Sequence, residues 1–114
     1  MDFEFPRGDT FIFQFRLKDR EGNLLTLGEN DKLYMTCKDS PSSQSVLFQK
    51  KLGSGIEKVG DYYKVTIEPD DTTNLNYTTY GFDIELKTGA GIVTTLKVGS
   101  ITLTDEYTFK GDEN

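Results

Sequence analysis

Apolar residues alternate with polar ones at a period of two along almost the whole chain. No other feature constrains the fold as much, because two is the repeat of one face of a β-strand and not of a helix. Phe11, Phe13, Phe15 and Leu17 fall in one register, while Gln14, Arg16 and Lys18 fall in the other. The pattern returns as Leu33, Met35 and Cys37 against Tyr34, Thr36 and Lys38, and as Tyr63, Val65 and Ile67 against Lys64, Thr66 and Glu68. It returns again as Tyr80, Phe82, Ile84 and Leu86 against Gly81, Asp83, Glu85 and Lys87, and Ile92, Leu96 and Val98 carry it on. Shorter strands are expected at residues 46–51 and 101–104.

The breaks between these runs carry turn chemistry, at residues 19–23, 39–43, 53–55 and 88–91. Residues 88–91, Thr-Gly-Ala-Gly, read as a hairpin loop that makes the flanking strands antiparallel neighbours. Only residues 69–74 carry a helix signal, with Pro69 at a first-turn position and Asp70 and Asp71 near the positive end, enough for at most one short turn. About seven short strands at near-regular spacing predict an all-β fold, an antiparallel immunoglobulin-like β-sandwich, with a small barrel as the structural alternative. Tyr80, two residues before the core position Phe82, fits a tyrosine corner, in which a Tyr hydroxyl bonds back to upstream backbone. Phe82 stands where immunoglobulin domains place a disulfide cysteine and Trp is absent, so the predicted sandwich has no staple.

At 114 residues the chain suits one domain, 1–114, ending in a short polar tail at 110–114. Its 13 Lys and Arg against 19 Asp and Glu leave a net charge of −6, which opposes binding to nucleic-acid phosphates. No apolar run reaches the roughly 18–20 residues of a membrane span, and the first residues have neither the basic nor the apolar segment of an export signal, so a soluble product made in the cytoplasm is expected. The lone Cys37 cannot form an internal disulfide, and the chain has no His, the commonest general base and metal ligand.

Few residues point to chemistry. Arg7-Gly8-Asp9 matches an adhesive tripeptide, but Pro6, Gly8 and Asp9 also make a competent turn leading into a strand, the reading favoured here. Carboxylates pair at Asp70/Asp71, Asp83/Glu85, Asp105/Glu106 and Asp112/Glu113. Asp83 and Glu85 share a strand face about 6–7 Å apart, the reach of a glycosidase pair, yet a solvated outer face opposite Phe82, Ile84 and Leu86 accounts for them as well. Asp70 and Asp71 lack the spacing of a calcium loop, Cys37 reads as an inert core thiol, and phosphate-binding fingerprints are missing. No catalytic, metal-binding or cofactor-binding residue is therefore assigned. Tyr34 and Tyr62 fall on polar registers and are the candidates for contact with a partner or a glycan.

Four phrases in order carry a wider likeness: the opening 5–11, Phe-Pro-Arg-Gly-Asp-Thr-Phe; the turn 18–23; the middle 63–72; and the close 101–106. Through them the chain resembles short phage and prophage structural proteins, in particular the amino-terminal immunoglobulin-like domain of the baseplate upper protein of Gram-positive phages and related tail or neck proteins. The resemblance implies a non-enzymatic virion scaffold that docks onto other virion proteins in a symmetric homo-oligomeric assembly. Longer members continue into a coiled or receptor-binding region, whereas this sequence stops at Asn114, so an adaptor or decoration role is expected. The alternative, from another class, is a carbohydrate-binding β-sandwich module using the exposed tyrosines; a hydrolase built on Asp83 and Glu85 ranks third.

Overall fold

A computed structural model describes residues 1–19, 21–40 and 42–105. It contains β1 (Asp2–Pro6), β2 (Phe11–Phe15), β3 (Lys32–Lys38), β4 (Val46–Leu52), β5 (Gly55–Val59), β6 (Tyr62–Ile67), α1 (Pro69–Thr72), β7 (Thr79–Lys87) and β8 (Val93–Thr104). The chain is all-β apart from α1, as the alternation requires. Its eight strands join in one sheet, in the order β1-β8-β7-β3-β4-β5-β6-β2, which curls until it is nearly barrel-shaped. A single curled sheet is the arrangement the sequence leaves open as its alternative to two facing layers.

Two strands go beyond the expected set. β1 is short, ends in a proline and pairs in parallel with β8, from Asp2↔Ser100 to Pro6↔Thr104. β5 meets β4 in parallel through only Lys51↔Gly55 and Leu52↔Ile56. The sheet is therefore mixed, which corrects the expectation of purely antiparallel pairing: β1 finds its partner almost a full chain length away, and no local pattern reports it. The separate runs expected near residues 92–98 and at 101–104 fuse into the single strand β8.

The inward registers fill the interior. Leu33, Met35 and Cys37 of β3, Val65 and Ile67 of β6 and Ile84 of β7 have no exposed surface. β1 and β2, the two ends of the sheet order, are brought together by phenylalanines. The rings of Phe5 and Phe11 stack at 4.3 Å, and Phe3 lies 5.2 Å from Phe11 and 4.6 Å from Phe13. Such ring pairs each add about 0.5–1.5 kcal/mol beyond area burial, so this aromatic seam closes the sheet where no ladder does.

The Arg-Gly-Asp tripeptide is the turn between β1 and β2. The Asp9 N–H donates to the Pro6 carbonyl at 3.2 Å, and Gly8 adopts φ 84°, a left-handed conformation that favours glycine. Arg7 does not stand free at a loop tip: its guanidinium donates to the Leu75 carbonyl at 3.1 Å and lies 4.2 Å over the Tyr77 ring. Below the turn sits α1, opened by Pro69 as expected and by a capping box in which the Asp71 carboxylate accepts the Glu68 N–H at 2.7 Å. Thr72 of this helix is fully buried, and its hydroxyl accepts the buried Gly8 N–H at 2.8 Å. In Thr72→Val the shape is kept and the acceptor is lost, leaving the Gly8 N–H unpaired. Urea titration is expected to show a stability loss of about 1–3 kcal/mol.

Tyr80 opens β7 in the corner arrangement the sequence predicts. Its hydroxyl accepts the Asn76 N–H at 2.8 Å and donates to the Asn76 carbonyl at 3.2 Å, while Phe82 lies in the core. The 88–91 loop is likewise a hairpin turn, with Thr88 N–H donating to the Ile92 carbonyl and β7 and β8 antiparallel on either side.

Candidate functional site

The sheet closes fully only along the length of β1. β8 runs from Val93 to Thr104, but β1 covers only its second half, from Ser100 onward, with the Ser100 N–H donating to the Met1 carbonyl at 2.9 Å. The first half of β8 pairs with β7 on one edge. Among the described residues its other edge has no strand partner. Across the gap lies β2, whose own ladder partner is β6. Between them, in line with β1 and beginning at Met1, is a groove of about 470 Å³.

Its lining follows from strand periodicity. Phe15 and Leu17, in the inward register, are almost wholly buried and lie at the groove together with the half-buried Leu96. Arg16 and Lys18, in the outward register, line it from the β2 side, and Lys97 lines it from β8. Lys97 is unusual. It stands opposite Ile84 and therefore on the core-facing side of β8, as does Gly99 opposite Phe82. It shares the inward register of Gly99, Ile101 and Leu103 by simple alternation, and a bulge follows directly: Ile84↔Lys97 gives way to Glu85↔Thr95, so Leu96 is the extra residue of β8. Where a closed sheet would bury that position, the missing strand leaves room for an ammonium group.

Tyr62, singled out from the sequence, borders the same groove. It is 37% exposed, its hydroxyl accepts a hydrogen bond from Arg16, and the Arg16 guanidinium lies 4.3 Å over its ring. Tyr34 lies elsewhere. It is half-buried on β3, opposite Lys51 and Glu85, and borders a second groove with Glu29, Asp31 and Lys32. β4 and β5 separate its strand from that of Tyr62, and the two grooves share no residue, so the tyrosines do not form one patch.

Asp83 and Glu85 lie on the outer face of β7, opposite Val98 and Thr95, with Phe82 and Ile84 pointing into the core beneath them. Among the described residues no three acidic or thiol groups cluster as metal ligands. Glu106, Asp112, Glu113 and the tail 110–114 lie outside the described residues. No helix among the described residues is long and apolar enough to cross a membrane.

Cys37 is buried without exposed surface, and desolvation, reinforced by the charge of Asp39, pushes its thiol up to about 12. A thiol this reluctant to ionise is a poor nucleophile. Native protein is expected to resist Ellman's reagent at pH 8 and to react with one equivalent once unfolded in guanidinium.

Asp31, which the sequence does not advertise, bridges two loops. Its carboxylate accepts the Gly28 N–H at 2.8 Å and the Gly89 N–H at 2.9 Å. These bonds, Gly28 first and Gly89 second, hold its pKa below the ordinary carboxylate value. A lowered folded-state pKa contributes stability that is present above the unfolded value and lost as pH falls through the folded one. Below about pH 4, reduced protection from hydrogen exchange, relative to the intrinsic rate at the same pH, is therefore expected at the Gly28 and Gly89 amides. Asp31→Asn should remove that pH dependence.

The groove residues that matter most, Arg16 and Lys97, are missed by sequence reasoning. Arg16 reads there as ordinary outer surface, and Lys97 reads as outward because the apolar spacing of Leu96 and Val98 suggests the register opposite to the one β8 adopts, in which Val98 is exposed. Comparison with protein-family models and with curated proteins returned no match.

Proposed function

We propose that this domain is a non-enzymatic structural component of a phage or prophage particle, a tail- or baseplate-associated scaffold or adaptor that works by docking onto other virion proteins. The half-free strand β8 carries the docking part of this reading. An exposed edge with unpaired backbone groups is a template for pairing with another chain. The four ordered phrases at 5–11, 18–23, 63–72 and 101–106 support the virion part, since they resemble baseplate upper proteins and related tail proteins. The Tyr80 corner with Phe82 behind it supports an immunoglobulin-like kinship for the curled sheet. In a symmetric assembly many modest contacts suffice, because effective concentration replaces tight single-site affinity.

Size-exclusion chromatography with light scattering, at several concentrations and with the products of neighbouring genes, tests the proposal. A defined homo-oligomer or a stable complex with a virion protein is the expected result. A monomer at every concentration that ignores those proteins counts against it. Sugar-dependent chemical-shift changes at Tyr34 or Tyr62 would transfer the argument to a carbohydrate-binding module. Stacking of a sugar on Tyr62 would have to use the ring face that Arg16 leaves open.

A further inference from the structure

We infer that the groove beside Met1 takes an extended acidic segment of a partner protein, added as a strand along the free first half of β8. The inference rests on the protein-docking reading above and adds to it the surface and the chemistry of the partner.

Three observations converge on this occupant. The first is geometric. β1 lies between β8 and β2, paired to one and packed on the other through Phe3, Phe5, Phe11 and Phe13. The groove continues the same track beside Leu96 and Lys97, and the free edge of β8 that runs past it, seven residues at about 3.3 Å each, is about 20 Å long. The second is the backbone. The Ser100 N–H points to the β1 side, where it meets the Met1 carbonyl. With a strand period of two, the Val98 N–H points the same way, just beyond the end of β1, and Val98 is 71% exposed.

The third is charge. The groove is lined by Arg16, Lys18 and Lys97 without a single carboxylate, in a chain whose net charge is −6. Among the described residues the ion pairs are Lys50–Asp71 and Lys64–Glu57, and neither involves these three cations. A strand lying here would turn alternate side chains toward the apolar floor of Phe15, Leu17 and Leu96, on the side where Lys97 also stands, and bring its other side chains beside Arg16 and Lys18. The pattern that fits is apolar residues alternating with Asp or Glu. A second copy offering its own β8 edge fits less well, because that edge carries Lys97 and no acid.

The probe is a fluorescein-labelled peptide of alternating Glu and Val, about seven residues long to match the free edge, with a Lys-Val counterpart as control. Binding is read by anisotropy and by amide shifts of the full chain at low salt. Saturable binding of the Glu peptide, with shifts centred on residues 14–18 and 95–99 and weaker or no binding of the Lys peptide, is the expected result. Val98→Pro removes the outward N–H at an edge position where proline is tolerated. It should weaken binding about tenfold or more without lowering the melting temperature. Arg16→Glu combined with Lys97→Glu should reverse the preference toward the Lys peptide.

Equal binding of both peptides, no shifts in the groove at millimolar Glu peptide, or indifference to Val98→Pro in a folded variant would each overturn the inference. A concentration-dependent dimer abolished by Val98→Pro would also overturn it and install a second copy as the occupant. The underlying docking reading fails separately. A virion-protein complex that survives Val98→Pro keeps docking and discards the groove, whereas Glu-peptide binding by a chain that ignores every virion protein keeps the groove and discards the virion reading.

Discussion

Phe13→Ala is expected to lower the unfolding free energy by about 3–5 kcal/mol, the range for truncating a buried aromatic ring. Phe13 is 7% exposed, and its ring lies 4.6 Å from Phe3 of β1 and 6.0 Å from Phe82 of β7. It therefore does two things at once: it fills the core, and it holds the end strand β2 against the opposite end of the sheet. Losing it forfeits transfer energy, leaves a cavity that neighbouring strands cannot easily close, and removes the ring pairs that substitute for a β1–β2 ladder. Urea denaturation followed by tyrosine fluorescence measures the loss. Phe13→Leu serves as the control, since it keeps most of the apolar volume and is expected to cost about half as much or less. Equal losses in the two variants would show that the ring contacts matter more than the filled volume.

Gly99→Val is the second large effect. A Cβ at this position would run into the Met1 carbonyl oxygen and stand 2.7 Å from the tip of the Phe82 ring. Gly99 is thus a site of close backbone approach, the reason a strand interior keeps a glycine despite its entropic disadvantage. Relief requires β1 to lift from β8 or Phe82 to leave its place. Overpacking of this kind costs about 1–3 kcal/mol and occasionally more. Hydrogen exchange separates the two responses: release of β1 raises exchange at Ser100, Thr102 and Phe3, whereas displacement of Phe82 raises it across β7 and β3. The first response would also lengthen the groove and make the whole outer edge of β8 available.

The strands that were legible in the sequence share one property: each has a face that must be buried and a face that must not, and their periodicity reports it. β2, β3, β6 and β7 declare themselves through Phe13 and Phe15, Met35 and Cys37, Val65 and Ile67, Phe82 and Ile84, all of them in the core. The tyrosine corner and the helix opened by Pro69 were legible for the same local reason, because their bonding partners, Asn76 and Glu68, lie within four residues of Tyr80 and Asp71. β5 was not legible, since in Gly55–Val59 only Ile56 is buried and its charged residues look like a loop. Nor was the common address of Arg16, just past the end of β2, Lys97 of β8 and Tyr62 of β6, which are far apart in the chain.

Local pattern alone shows that the chain is all-β, that β2, β3, β6 and β7 send their apolar register into the core with Cys37 enclosed there, and that Arg7-Gly8-Asp9 is a turn, but it misplaces Ile92 and Val98, which are 62% and 71% exposed. Alternation, turn residues and apolar burial act over a few residues and need no knowledge of the rest. Tertiary structure set the parallel pairing of β1 with β8 and the curling of the sheet on an aromatic seam. The physical reason is that strand order, register and curvature are set by contacts between distant segments, such as Asp2 with Ser100 and Phe3 with Phe82. The opening bordered by Arg16 and Lys97 lies beside the half of β8 that β1 does not pair with.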